Sequence, residues 1–149
     1  MAKFLGELAV ALVAWALAAT VAFAEHGRWQ TLENNPSCVV WNANPQSNET
    51  VTWTGDCVSG KAQGRGTQVW RYLEDEEWKE HKYTGEMKDG KRHGRGVMVT
   101  ASGNRYEGDW KEGKQHGRGV YVWANGDRYE GDFKDGKEHG RRVKVWGPK

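Results

Sequence analysis

The sequence predicts an all-β fold, an antiparallel meander of consecutive β-hairpins forming a single solenoid-like sheet after an N-terminal signal helix. Two observations carry that expectation. Tyr83-Thr84-Gly85-Glu86 returns as Tyr106-Glu107-Gly108-Asp109 and again as Tyr129-Glu130-Gly131-Asp132, an interval of 23 residues each time. Glycine-containing turn dipeptides recur between these copies and bound short segments of strand character. Self-similarity at a fixed short period marks a fold built by stacking one supersecondary unit, in which each copy buries its apolar face against its neighbours. Such a fold offers surfaces, and usually no deep catalytic pocket.

Residues 1–24 read as an export signal. Lys3 supplies the positive start, residues 8–21 are a charge-free apolar run, and Ala22-Phe23-Ala24 is a small-x-small cleavage signature ahead of Glu25. Glu7 is unusual in such a segment, and residues 8–24 are marginally long enough to span a bilayer as an uncleaved anchor. The expected location is therefore the periplasm or the exterior, with membrane anchoring as the alternative. Two cysteines, Cys38 and Cys57, lie in the exported part, and an even count in an oxidising compartment favours a disulfide.

Lys and Arg number 22 against 20 Asp and Glu, a net charge of +2, with the signs finely interspersed. No basic block or stripe of the kind that binds nucleic acid is present, so a nucleic-acid partner is not expected. The remaining chain divides into an N-terminal extension, 25–50, carrying a half-repeat strand at Cys38-Val39-Val40-Trp41, and a repeat domain, 51–149.

Within the repeats, Asp89-Gly90, Ser102-Gly103, Glu112-Gly113, Asn125-Gly126 and Asp135-Gly136 mark the turns, because such dipeptides tolerate the positive φ of tight hairpins. Arg105-Tyr106-Glu107-Gly108-Asp109-Trp110 alternates charged with aromatic or glycine, which places Tyr106, Gly108 and Trp110 on one strand face. Val120-Tyr121-Val122-Trp123 reads as the returning strand. Whether its valines or its aromatic residues share the Tyr106 face depends on one residue of turn length.

These residues resemble the MORN repeat, whose pattern runs Tyr-x-Gly-x-aromatic, then a turn glycine and a Gly-x-Gly. Tyr106, Gly108, Trp110, Gly113, Gly117 and Gly119 fill the pattern; Tyr83, Gly85, Met87, Gly90, Gly94 and Gly96 form another copy. Tyr129, Gly131, Phe133, Gly136 and Gly140 follow, with Arg142 where glycine is expected, and Trp53, Gly55, Cys57, Gly60, Gly64 and Gly66 make an earlier, divergent copy. The repeats so drawn are 53–72, 83–105, 106–128 and 129–147. The rings of Trp53, Tyr83, Tyr106, Trp110, Tyr129 and Phe133 are expected to make one face, lying over the strand glycines Gly55, Gly85, Gly108 and Gly131. Cys57 stands where Met87, Trp110 and Phe133 stand in other copies, so the disulfide would close one end of the stack. Arg141, Arg142 and Lys144 would blunt the other.

No site for chemistry emerges. Only four serines are present, none in a nucleophile motif, and catalysis is not expected. His93, His116 and His139 recur in register, yet equivalent positions lie two strands, about 10 Å, apart, too far for two imidazoles to share one ion. Neither metal nor cofactor is expected. The row Arg65, Arg95, Arg118 and Arg141 reads first as a salt-bridged surface row and second as a phosphate contact. Residues 73–82 break the period with an acidic insertion carrying Trp78, expected as a loop on one face. The functional expectation is a non-catalytic exported module for protein interaction or scaffolding in the cell envelope. Contact would run through the aromatic face, with Trp78, Trp123, Arg95 and Arg118 as candidate binding residues. The alternative is a phospholipid headgroup, as the family resemblance implies, or a glycan stacked on Trp110, Trp123 and Trp146.

Overall fold

The structure, a computed structural model, describes residues 27–145, with side chains described as far as Gly140. The expected signal segment, Trp146 and the side chains of Arg141, Arg142 and Lys144 lie outside it. The regular elements are strands: β1 (Arg28–Leu32), β2 (Asn35–Asn42), β3 (Thr50–Trp53), β4 (Asp56–Val58), β5 (Lys61–Glu74), β6 (Glu77–Lys88), β7 (Lys91–Val99), β8 (Arg105–Lys111), β9 (Lys114–Val122), β10 (Arg128–Lys134) and β11 (Lys137–Val145). They form one sheet in the order β1-β2-β5-β6-β7-β8-β9-β10-β11, with β3 and β4 both paired to β5.

From β5 onward the sheet is the expected antiparallel meander, and from β6 onward two kinds of turn alternate. Asp89-Gly90, Glu112-Gly113 and Asp135-Gly136 each have φ between 50° and 84° at both residues, the two-residue turn whose twist matches paired strands. On the opposite edge the connections are longer: the Gly103 amide donates to the Thr100 carbonyl and the Thr100 amide to the Asn104 carbonyl, both at 2.9 Å. Trp123, Gly126 and Asp127 repeat that pattern. This turn fixes the register left open above. Tyr106 pairs directly with Tyr121, so the aromatic residues share a face, while Val120 opposes Glu107 on the other.

The N-terminal part departs from a simple meander. Strand β2 meets β5 in parallel at a single pair, Val39 with Lys61, and the Val39 amide donates to the Gly60 carbonyl at 2.9 Å. The Cys38 and Cys57 sulfurs lie 2.13 Å apart, at bonding distance, joining β2 to β4 across 19 residues of sequence. Trp41 in β2 packs on Gly27 as Trp53 packs on Gly55, since a methyl group built on either glycine would fall 2.5 Å from the ring.

Residues 73–82 are not a loop. Asp75 and Glu76, both with positive φ, form a two-residue turn, and the rest of the segment extends β5 and β6 as a continuous ladder from Glu74–Glu77 to Arg71–Glu80 and beyond. Because the segment flanks a two-residue turn symmetrically, pairing it satisfies the backbone groups that a loop would leave to water.

Candidate functional site

Each repeat contains one latch. The Tyr83, Tyr106 and Tyr129 hydroxyls donate to the carbonyls of Glu86, Asp109 and Asp132 at 2.7, 2.9 and 3.0 Å, three residues onward in each case. They also approach the His93, His116 and His139 carbonyls at 3.4, 3.5 and 3.2 Å. The strand register shifts at this point, between Gly85 and Glu86, Gly108 and Asp109, and Glu130 and Asp132. Such a bulge leaves backbone carbonyls out of the ladder, and the phenol reaches across the bend to satisfy them. The ring lies flat on backbone only because Gly96, Gly119 and their partners lack a side chain: a methyl group at Gly119 would sit 2.5 Å from the Tyr106 hydroxyl. Burial raises the Tyr83 pKa to about 12 and raises that of Tyr106 as well.

The latched tyrosines form a continuous aromatic zipper. Trp110 stands edge-to-face between Tyr83 and Tyr106 at 5.2 Å from each, and Phe133 between Tyr106 and Tyr129 at 4.9 and 5.2 Å. Trp53, Tyr83, Tyr106, Trp110, Tyr129 and Phe133 are all buried, none more than 5% exposed. The expected aromatic recognition face is therefore the core. Its rings fold back onto their own strands' glycines and cover one another, so no partner can stack on them. Trp110 is equally closed to a sugar, and Trp123 is half-buried against Tyr121 at 4.8 Å.

The opposite face is open. A trough of about 690 Å³ crosses β5 to β10 along the row of paired glycines Gly66–Gly85, Gly96–Gly108 and Gly119–Gly131. Five strand spacings give it a length of about 24 Å. One bank carries Thr67, Thr84, Val97, Glu107, Val120 and Glu130; the other carries Arg65, Arg95 and Arg118. The arginines form a ladder with the next strand's acids: Arg65 with Glu86 at 3.0 Å, Arg95 with Asp109 at 3.3 Å and Arg118 with Asp132 at 3.8 Å. All three are largely exposed, so these pairs add little stability and remain free to exchange partners.

The sequence profile of the MORN repeat matches residues 83–105, 106–128 and 129–141, which are the hairpins β6–β7, β8–β9 and β10–β11. Residues 83–141 are MORN repeats. No curated protein matches the chain. MORN repeats generally serve protein–protein contacts or membrane-lipid binding and are in general non-enzymatic. Among the described residues no group of three His, Cys, Asp or Glu side chains is placed to hold a metal.

Beyond the repeats, the long β5–β6 hairpin presents Leu73 and Trp78 as a directly opposed pair, 42% and 65% exposed. At its base Trp70, Tyr72 and His81 are drawn inward, with the Tyr72 and His81 rings 5.0 Å apart. These residues and the neighbouring Arg92 were missed from sequence. The available signal was a break in the repeat: Ala62, Arg92, Gln115 and Glu138 occupy one register position, each following a turn lysine, and only one of them is a cation.

Proposed function

We propose that this protein is an exported, non-catalytic module that holds a protein partner, receiving an extended polypeptide segment along the trough. The trough is the observation that carries the reading. Its floor is backbone, its banks alternate positive, negative and apolar groups, and about 24 Å suits roughly seven residues of extended chain. The exposed Leu73–Trp78 pair adds an aromatic anchor of the kind that concentrates binding energy. Export rests on the pattern of residues 1–24 together with the Cys38–Cys57 pair, which suits an oxidising compartment.

The test begins with a partner captured from envelope extract by the mature chain. Arg95→Glu with Arg118→Glu should then reduce its affinity at least tenfold while leaving the melting temperature unchanged, since both side chains are exposed. Unaltered affinity would remove the trough from consideration.

A second reading has its own observation. Lys88–Lys91, Lys111–Lys114 and Lys134–Lys137 are directly opposed pairs flanking the turns at Asp89-Gly90, Glu112-Gly113 and Asp135-Gly136, so one edge of the sheet carries a lysine rim. Like charges face each other there at some cost in stability, offset at Lys91 by its ion pair with Glu112 at 3.0 Å, and an anionic phospholipid surface would relieve the rest. Sedimentation with anionic and neutral vesicles at two salt concentrations separates the readings, because binding by the rim must weaken as salt rises.

A further inference from the structure

We propose that a pocket at the base of the long hairpin is a binding site for a small carboxylate on a flat apolar body, with the Arg92 guanidinium as its counter-charge. The pocket, about 260 Å³, lies between the N-terminal segment and the first full repeat, with Trp41, Trp70, Tyr72, His81, Arg92 and Met98 among its walls. It is independent of the trough.

Arg92 has no acidic partner. Its Nε donates to the Gln68 side chain at 3.1 Å, and the guanidinium lies 5.4 and 5.5 Å from the ring centres of Tyr83 and Trp110. No carboxylate among the described residues pairs with it, and its two terminal nitrogens make no hydrogen bond to them. Burial lowers its pKa to about 10, which still leaves it charged at neutral pH. The guanidinium is partly buried and has no counter-ion, and its two parallel donors match a carboxylate.

Trp70 lines the same pocket and is 7% exposed, with its indole N–H buried beneath the surface and without an acceptor. His81 accepts the Ala101 amide through Nδ1 at 3.0 Å, so its proton resides on Nε2; burial and the nearby Arg92 charge lower its pKa and keep it neutral. The one carboxylate on the pocket wall, Glu49, is already engaged by Arg28 at 3.1 Å and by Asn42. The aromatic walls supply the apolar part of the site, and the volume lies below the roughly 300–1,000 Å³ of drug-sized pockets, which restricts the ligand to a compact one.

The repeat architecture does not require this cation. The equivalent position is Gln115 in the next hairpin, where Tyr106 and Phe133 pack without a guanidinium between them.

Phenylacetate and its neutral isostere phenylacetamide test the site, titrated into the mature chain with tryptophan fluorescence and melting temperature as readouts. Phenylacetate should bind saturably and raise the melting temperature, and the amide should bind at least tenfold more weakly. Arg92→Gln should abolish that preference, and Arg92→Lys should retain part of it. A peptide ending in phenylalanine, compared with its C-terminal amide, distinguishes a chain terminus from a free small acid; in both arms the acid-to-amide ratio carries the proposal. Equal binding of acid and amide to the wild-type chain, or no binding of either, would overturn it. That comparison does not depend on any variant folding.

Discussion

The Tyr106 hydroxyl donates to the Asp109 carbonyl at 2.9 Å, three residues along its own strand, and thereby closes the bend at the bulge beside Gly108. Tyr83 and Tyr129 do the same in the flanking repeats, so the latch is the repeated unit of this sheet. Tyr106→Phe keeps the ring in the zipper and deletes only the latch. It should cost about 1–3 kcal/mol, the penalty of an unsatisfied buried carbonyl. Denaturant midpoints measure it, and no loss would mean that water already serves the Asp109 carbonyl.

Gly108 and Gly113 should respond very differently to alanine. At Gly108 the new methyl would fall 2.6 Å from the Arg118 carbonyl, the Gly119 Cα and the Tyr106 hydroxyl, and backbone cannot move aside cheaply. At Gly113 the φ of +84° is the only difficulty, because nothing lies within 4 Å. Gly113→Ala should cost about 1–2 kcal/mol. Gly108→Ala should cost well above that or fail to fold, and a reversed order in thermal unfolding would refute the ring-on-glycine packing.

Trp110→Ala removes a ring held between two tyrosines and should destabilise by about 3–5 kcal/mol. Trp78→Ala, at an exposed hairpin tip, should stay within about 0.5 kcal/mol of wild type. Equal effects would show that the hairpin tip packs on the body of the sheet.

Replacing residues 73–78 with Asn-Gly leaves Tyr72 and Lys79, already a direct pair, flanking a two-residue turn. The shortened chain should therefore fold with its melting temperature nearly unchanged. Partner affinity should fall if the Leu73–Trp78 pair is a contact, and the comparison of affinity with melting temperature separates the two effects.

The tyrosine latches also set an alkaline limit. The folded pKa of Tyr83, about 12, lies above its ordinary 10, so the folded state binds its proton more tightly than the unfolded chain does. Its contribution is fully present below pH 10 and is lost as pH rises to about 12. Chemical denaturation across that window should show declining stability, with a smaller decline in Tyr83→Phe.

Intact mass tests the compartment. The mature chain should begin at Glu25 and take up no alkyl group until it is reduced, because both sulfurs are joined. A chain retaining residues 1–24 would favour anchoring.

Periodicity and composition were enough to settle the strand class, the repeat boundaries at Tyr83, Tyr106 and Tyr129, and the turns at Asp89-Gly90 and its equivalents. The reason is that these depend on local chemistry: side-chain alternation, positive φ at turn residues, and spacing. The zipper residues were legible for the same cause, since Tyr106, Gly108 and Trp110 lie on one face of any strand.

Only the tertiary structure decided which face is open. A tyrosine followed two residues later by glycine says that the ring can lie on backbone; it does not say that the rings then bury one another and leave the arginine face exposed. The seven extra residues around Trp78 read as a loop and form a longer hairpin instead, because a two-residue turn at Asp75-Glu76 has no glycine to announce it. The Arg92 pocket depends on contacts between segments far apart in sequence. Trp41 and Glu49 reach it from the N-terminal extension, Trp70 and His81 from the long hairpin, and no period relates them.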